Sequence, residues 1–320
     1  MLIPRSVVGI LSVSMMVLGT GVVSAQEYPS KPIRIVTTAP GGGGEFTSRV
    51  IAEGISGPLG QPVIVDNRAT GLVASDFVAK APPDGYTLTV AGGAFWIFPL
   101  LQKAPYDVVR DFSPISLLVR EVNVVVVVPS LPVNSIKELI ALAKKKPGAL
   151  NYASTGVGGT DNLAAELFKS MASVNIVHVP YKGTAPGIAG LLGGEVQMAI
   201  TDSGNVAAHV KSGRLRALAV TAAEPSALVP GLPTVAASGL PGYEMVGMTS
   251  FFAPAKTPVA IIKRLNQEIV RVLNLPNVKE RFFNIGVEVV GSSPEQLAAT
   301  VDTEIAKDSK IIRDAGIKVD

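Results

Sequence analysis

The chain reads as α/β, with two lobes of alternating strands and helices and a C-terminal part that returns to the first lobe. Three observations predict this. Short apolar strand runs alternate with helical patterns from residue 33 to residue 220. Turn chemistry separates them, most strongly at Pro82-Pro83-Asp84-Gly85, where proline presets φ and glycine accepts the reversal. The chain closes on two helices with too few strands beside them to form a third sheet.

The first lobe opens with a strand at Ile33–Thr38, followed by a helix over Phe46–Ser56 with Val50, Ile51 and Ile55 on one face. Val63–Val65 is a strand, Leu72–Ala81 a helix and Thr87–Ala91 a strand. That βαβαβ order predicts a parallel sheet with right-handed crossovers. Val122 to Val128 is apolar but far short of the roughly 20 residues of a spanning helix, so it reads as a buried strand.

A second unit begins near Asn123. Ser135-Ile-Lys-Glu138 is a capping box that opens a helix to Lys146, closed by Pro147-Gly148. A strand at Asn151, a helix over Asn162–Met171 and a strand over Asn175–Val179 follow. Then come a helix over Gly187–Leu192, a strand over Val196–Thr201, a helix over Val206–Ser212 and a strand over Leu215–Val220.

The return starts with a strand at Thr249–Ala253. Thr257-Pro258 reads as a helix N-cap, and Ile261, Leu265, Ile269 and Val272 continue that helix as an apolar stripe. Ser293-Pro294-Glu295 starts the last helix, which ends before Gly316. The chain thus crosses between lobes near Asn123 and near Met245, which predicts a hinge and a cleft. The expected division is 26–122 plus 246–320 for one lobe and 123–245 for the other.

Composition narrows the function. Of 320 residues, 48% are hydrophobic and 17% charged, with a net charge of +3, which offers no dense basic patch for nucleic acid. Aromatic residues, at 5%, are too sparse for a base-stacking platform. The first 25 residues read as a signal peptide: Arg5, an uncharged apolar stretch from Val7 to Val23, and cleavage after Val23-Ser24-Ala25. The alternative is a membrane anchor. With no cysteine, the exported chain has neither a disulfide nor a lipid-bearing cysteine. The periplasm is the expected location, with secretion further out as the alternative.

Catalytic and metal motifs are missing. The two histidines, His178 and His209, have no metal-ligand spacing, and there is no Gly-x-Ser-x-Gly elbow and no Gly-Lys of a phosphate loop. Asp161 stands where a dinucleotide fingerprint starting at Gly156 would need its third glycine. The expectation is no enzyme, no cofactor and no metal. His178 alternates with Val177 and Val179 and reads as a strand residue with a satisfied hydrogen bond.

Four segments are candidates to line the cleft. Pro40, Gly41, Gly42, Gly43, Gly44 and Glu45 run from a strand into a helix start. Ser154, Thr155, Gly156, Gly158, Gly159 and Thr160 do the same. Glycines allow close backbone approach, and a helix N-terminus offers orphan N–H groups that favour a carboxylate. Together they predict a pair of anion cradles facing one another. The third segment is Tyr181, Lys182, Gly183 and Thr184; Lys182 attracts a carboxylate or points into water. The fourth is Gly92, Gly93, Phe95 and Trp96, after the third strand, where the aromatics either touch ligand or belong to the core.

Eight pieces in one order carry a resemblance. They are Tyr28-Pro-Ser-Lys-Pro-Ile-Arg-Ile-Val36 with Pro40-Gly-Gly-Gly43; Ala79-Lys-Ala-Pro-Pro-Asp-Gly-Tyr-Thr-Leu88; Asn151-Tyr-Ala-Ser154; and His178-Val-Pro-Tyr-Lys-Gly183. Leu191-Leu-Gly-Gly194, Gly213-Arg-Leu-Arg-Ala-Leu-Ala-Val-Thr221, Pro233-Thr-Val235 and Gly239-Leu-Pro-Gly-Tyr-Glu244 complete it. The chain resembles the periplasmic solute-binding proteins of tripartite tricarboxylate transporters, the Bug family, over essentially its mature length.

The resemblance implies a two-lobed periplasmic binding protein of the Venus-flytrap kind, type II-like, with two doubly wound sheets. It implies a small carboxylate ligand held by loop amides, hydroxyls and waters, and delivery to membrane permease subunits by a monomer. Three positions depart from the family pattern. Gly44-Glu45 replaces Thr-Asp, Asn162 replaces a frequent histidine, and Thr201 stands at the usual aspartate, with Asp202 one place on. Glu45 either faces solvent or meets an amino group of the ligand. The expected ligand is a mono- or dicarboxylate, an aromatic acid being one subclass. The rival readings are a sensor that reports to a membrane receptor and an exported hydrolase.

Overall fold

The computed structural model describes residues 28–38, 40 and 43–317. The signal peptide expected at residues 1–25, and Gly41 and Gly42 of the glycine run, lie outside the described residues.

The first passage of the chain builds β1 (Ile33–Thr37), α1 (Gly43–Leu59), β2 (Val63–Asn67), α2 (Gly71–Ala79), β3 (Thr87–Gly92), α3 (Ala94–Leu101), the short α4 (Val108–Asp111) and β4 (Phe112–Glu121). The chain then enters a second sheet through β5 (Asn123–Val127), α5 (Ile136–Lys145), β6 (Asn151–Ser154), α6 (Thr160–Ala172), β7 (Val177–Pro180), α7 (Thr184–Gly193), β8 (Met198–Asp202), α8 (Ser203–Lys211) and β9 (Arg216–Val220). It returns with β10 (Gly247–Pro254), α9 (Val259–Leu273), α10 (Pro276–Phe283), β11 (Val287–Val289) and α11 (Pro294–Asp314).

The strand order is β11-β4-β10-β3-β1-β2 in the first sheet and β7-β6-β8-β5-β9 in the second. The expected parallel pairing holds for β1 with β2 and β3, and for β6 with β7 and β8. The returning β10 runs antiparallel between β3 and β4, and β5 runs antiparallel to β8 and β9, so both sheets are mixed. β4, α3, α4, α10 and β11 are additions to the sequence reading.

Local chemistry sets the helix starts. Ser135 accepts from the Glu138 amide at 3.2 Å, while Glu138 reaches back to the amide of Asn134, one residue before the cap. At Ser293 the reciprocal box is complete, with Gln296 as its other half. Thr257 does not cap α9. Its hydroxyl donates to the Pro254 carbonyl at 2.8 Å, and Pro258 takes the cap position without a side-chain bond.

Two apolar clusters hold the molecule. One packs α1 and α9 on the first sheet, with Ile33, Ile55, Leu88, Phe251, Leu265 and Ile269 fully buried. Each such side chain contributes roughly 1.5–3 kcal/mol by leaving water. The other runs from Phe95, Trp96 and Phe252 through Leu297 and Ile311 of α11 to Val125, Phe168 and Tyr243 beside the second sheet. α11 packs on β4, α3 and α6, so one helix ties the two lobes together.

Candidate functional site

The parallel strands β6, β7 and β8 end side by side, and each feeds a helix. α6 starts at Thr160, α7 at Thr184 and α8 at Ser203. Their N-cap residues Gly159, Gly183 and Asp202 make no side-chain cap hydrogen bond. Of the three, α7 keeps its first amides free, with the positive end of its dipole toward the space beyond; at α6 the Asn162 amide is taken by Asp161, and at α8 the Ser203 amide bonds the Val122 carbonyl.

That space is a cavity of about 210 Å³. Thr155, Thr160, Asp161, Thr184, Thr201 and Asp202 line it from the second lobe, Glu121 and Gly247 from the first, and Asn123 from the crossing between them. A small extension of about 20 Å³ continues behind Thr155, Thr184 and Thr201 toward Ala153 and Gly187. The hydroxyls of Thr160, Thr184 and Thr201 make no hydrogen bond among the described residues.

The lobes touch around this cavity through glycines. A Cβ on Gly93 would sit 3.4 Å from Thr160 Oγ1, and one on Gly204 would sit 2.5 Å from the Ile285 carbonyl. Gly158, at φ +80°, lies directly against Leu101. A second cavity of about 210 Å³ lies on the first lobe, at the ends of β1 and β3, where Thr38, Leu72, Ala91, Phe95 and Phe98 give it a mainly apolar wall.

The two glycine-rich turns are not equivalent. Around Ser154–Thr160 the chain's own side chains take the amides. Asp161 accepts from Thr155 N at 2.6 Å and Thr155 Oγ1 at 3.0 Å, Asn162 Oδ1 from Gly158 N at 2.9 Å, and Ser154 Oγ from Gly156 N at 3.1 Å. The predicted anion cradle is thus filled from within by Asp161. At the first turn Gly43 and Gly44 are already helical, and Ser48 Oγ donates to the Gly44 carbonyl at 2.7 Å. Glu45 pairs with Arg49 at 2.6 Å. A Cβ on Gly43 would lie 3.5 Å from Glu121 Oε1, so a carboxylate of the chain also stands beside the start of α1.

The acids carry the electrostatics of the site. Burial raises the pKa of Glu121, the charge of Asp202 raises it further, and a hydrogen bond from Thr249 opposes both. Burial also raises Asp202, with Asp161 adding to it and Asn205 opposing. Asp161 is raised by burial against the bonds that hold it in the turn. No lysine, arginine or histidine lines the interlobe cavity, its extension or the first-lobe cavity.

Other predicted site residues sit elsewhere. Trp96 is 3% exposed and donates from Nε1 to Asp308 Oδ2 at 3.2 Å, which places it in the core between α3 and α11. Phe95 packs on Tyr106, Phe112 and Phe252 and forms the floor of the first-lobe cavity. Gly92 lines that cavity too. Tyr181 lies across Gly187 and Gly190 of α7, its hydroxyl on Glu195 at 3.0 Å, and Lys182 is exposed; neither lines the cavity. Pro40 is exposed in the turn before α1.

His178 Nε2 meets Ser154 Oγ at 2.6 Å and its ring stacks on Tyr152, with burial lowering its pKa. Both partners are engaged, as the satisfied strand residue requires. Among the described residues no group of three acids and histidines could hold a metal ion, and no helix is long and apolar enough to cross a membrane.

Sequence reasoning did not single out Glu121, Asn123 or Gly247 as lining. The available signal was two polar residues bracketing Val122 at the lobe crossing. In the sequence Asp161 stands out only as the residue that breaks a glycine fingerprint.

Known proteins share this fold. A family model described as tripartite tricarboxylate transporter family receptor matches residues 47–317. Protein BugT of Bordetella pertussis is 35% identical over 303 residues, covering 93% of each chain. The structure of Rhodopseudomonas palustris Rpa4515 with adipate superposes with a TM-score of 0.78 at 34% identity, covering 91% of this chain and 99% of that one. MatC of the same species, with bound malate, superposes with a TM-score of 0.74 at 28% identity, covering 89% and 100%. The match along nearly the whole described chain, on a two-lobed fold with its cavity between the sheets, makes this protein a member of the tripartite tricarboxylate transporter receptor family, the Bug solute-binding proteins.

Proposed function

We propose that this chain is an exported periplasmic receptor that captures a small organic acid between its lobes and delivers it to a membrane permease of the tripartite tricarboxylate type. One observation carries the reading. The free start of α7 and three unpartnered hydroxyls, Thr160, Thr184 and Thr201, converge on one interlobe cavity. Such donors suit carboxylate oxygens. The solved relatives with adipate and malate support the ligand class.

The lobes divide at residues 122/123 and 245/246, and the short segments there serve as the hinge. Binding selects the closed arrangement in which Gly158 meets Leu101 and Gly204 meets Ile285. Closure removes water and strengthens each hydrogen bond to the acid. The site residues bind and orient the acid without making or breaking a bond.

A thermal-shift panel of aliphatic and aromatic acids on the purified chain tests this, because a ligand that binds only the folded state raises the melting temperature. A shift confined to sugars or other neutral solutes would contradict it. Loss of acid uptake on deletion of the gene would separate transport from sensing.

A further inference from the structure

We propose that the captured acid also carries a cationic nitrogen, held by Glu121 and Asp202 with Asn123 at their side, so that the ligand is a zwitterion. The inference rests on the acid-receptor reading above and adds the second half of the ligand.

The cavity has three carboxylates and no basic side chain in its lining. Asp161 is committed to its turn through Thr155 and Asn162. Glu121 and Asp202 are not. Glu121 accepts one bond, from Thr249 Oγ1 at 3.3 Å, and Asp202 one, from Asn205 Nδ2 at 3.1 Å. An ionised carboxylate has about four acceptor sites, so each keeps unused capacity toward the cavity.

A second observation points the same way. Asn123 is 2% exposed, lines the cavity, and its carboxamide makes no hydrogen bond among the described residues. A buried amide without a partner costs free energy unless something in the cavity satisfies it. Asn123 lies directly opposite Asp202 in the β5–β8 ladder, which puts the two side chains on one face of the sheet. The carboxamide oxygen and the two carboxylates together form an acceptor set suited to an ammonium or amidinium group.

The electrostatics agree. Burial disfavours the charged forms of Glu121 and Asp202, with the charge of Asp202 adding to it at Glu121 and that of Asp161 at Asp202. A cation between them removes that penalty, whereas the far carboxylate of a dicarboxylate adds to it. The carboxylate of a zwitterion still has the Thr160 and Thr184 hydroxyls and the start of α7 to bind. A metal ion does not fit as the cation, since no three-ligand group exists among the described residues.

Isothermal titration of the purified chain with length-matched probes decides the matter. The pairs are 6-aminohexanoate with adipate, 4-aminobutanoate with succinate, and 4-(aminomethyl)benzoate with terephthalate. Diamines of the same lengths serve as a third set. The amino acid of at least one pair should bind about tenfold tighter than its dicarboxylate. Glu121→Gln should erase most of that gap. Asp202→Asn is the independent variant should the first fail to fold.

Tighter binding of the dicarboxylate in every pair that binds overturns the nitrogen and leaves the acid receptor standing. Binding of diamines alone overturns the acid receptor while the cation site survives. No binding from any probe contradicts both.

Discussion

Two strand-to-helix turns of this chain look alike in sequence and behave differently in the fold. The β1–α1 turn carries four consecutive glycines, and the β6–α6 turn carries Gly156, Gly158 and Gly159. In the first, Gly43 and Gly44 lie in the opening turn of α1 and do not have positive φ. In the second, Gly156 and Gly158 have φ of +136° and +80°, and Asp161 and Asn162 close the loop over its own amides. The first turn uses glycine for close approach, with Gly44 against Thr37 Oγ1. The second uses glycine for shape. A glycine run therefore locates a cleft but does not say whether its amides are free. The neighbouring carboxylates decide that.

Removing Asp161 breaks the comparison most severely. Asp161→Ala leaves the Thr155 amide and hydroxyl without their acceptor, and chemical denaturation should show a loss of about 2–3 kcal/mol. Tighter acid binding by this variant would mean that the emptied nest is itself the anion site.

Asp308 sharpens the contrast, because it is a buried carboxylate with no turn of amides around it. It accepts only from Trp96, and Oδ1 has no partner. Burial pushes its pKa up to about 7, with Glu304 adding to the shift and Lys307 and Trp96 opposing it. The native state thus holds this proton more tightly than the unfolded chain, whose carboxylates titrate near ~4. The contribution of Asp308 to stability should be fullest below about pH 4 and fall as pH rises to about 7. Asp308→Asn should raise stability at pH 8 by about 1–2 kcal/mol and flatten that slope in a pH series of melts.

Closure comes next in size. Gly204→Val places a side chain against the Ile285 carbonyl and should weaken ligand binding about tenfold, with little change in unfolding free energy. Unchanged affinity would show that this contact plays no part in capture. The glycines themselves give the smallest effects. Gly156→Ala should cost about 1 kcal/mol because of its φ, whereas Gly43→Ala, in a helix with its Cβ at an ordinary contact distance, should stay within about 0.5 kcal/mol of the parent. Equal costs would erase the distinction between the two turns.

Much of this fold is readable from periodicity and turn chemistry. The alternating β1–β3 and β5–β9 units, the stripe Leu265, Ile269 and Val272 of α9, and the Ser293 start of α11 follow from local rules, whereas Ile262 and not the expected Ile261 is the buried residue at the first turn of that stripe. β4 escaped because Pro114 interrupts a run that tertiary pairing with β10 makes a strand. α3 escaped because Phe95, Trp96 and Phe98 look alike in sequence, and only α11, 212 residues on from Trp96, makes Trp96 a core residue.

The threonines and glycines of the cavity were legible as helix-start chemistry. Glu121 and Asn123 were not, because their role comes from two sheets meeting and not from any local motif. The same holds for Asp161, whose acceptor role depends on the backward fold of Thr155.

The account turns on where the acid sits. A crystal structure with a bound acid that shifts the melt should show its carboxylate within hydrogen-bonding distance of Thr160 and Thr184, between the lobes. A carboxylate seated instead in the first-lobe cavity beside Thr38 and Phe98, or on the outer surface, would contradict it.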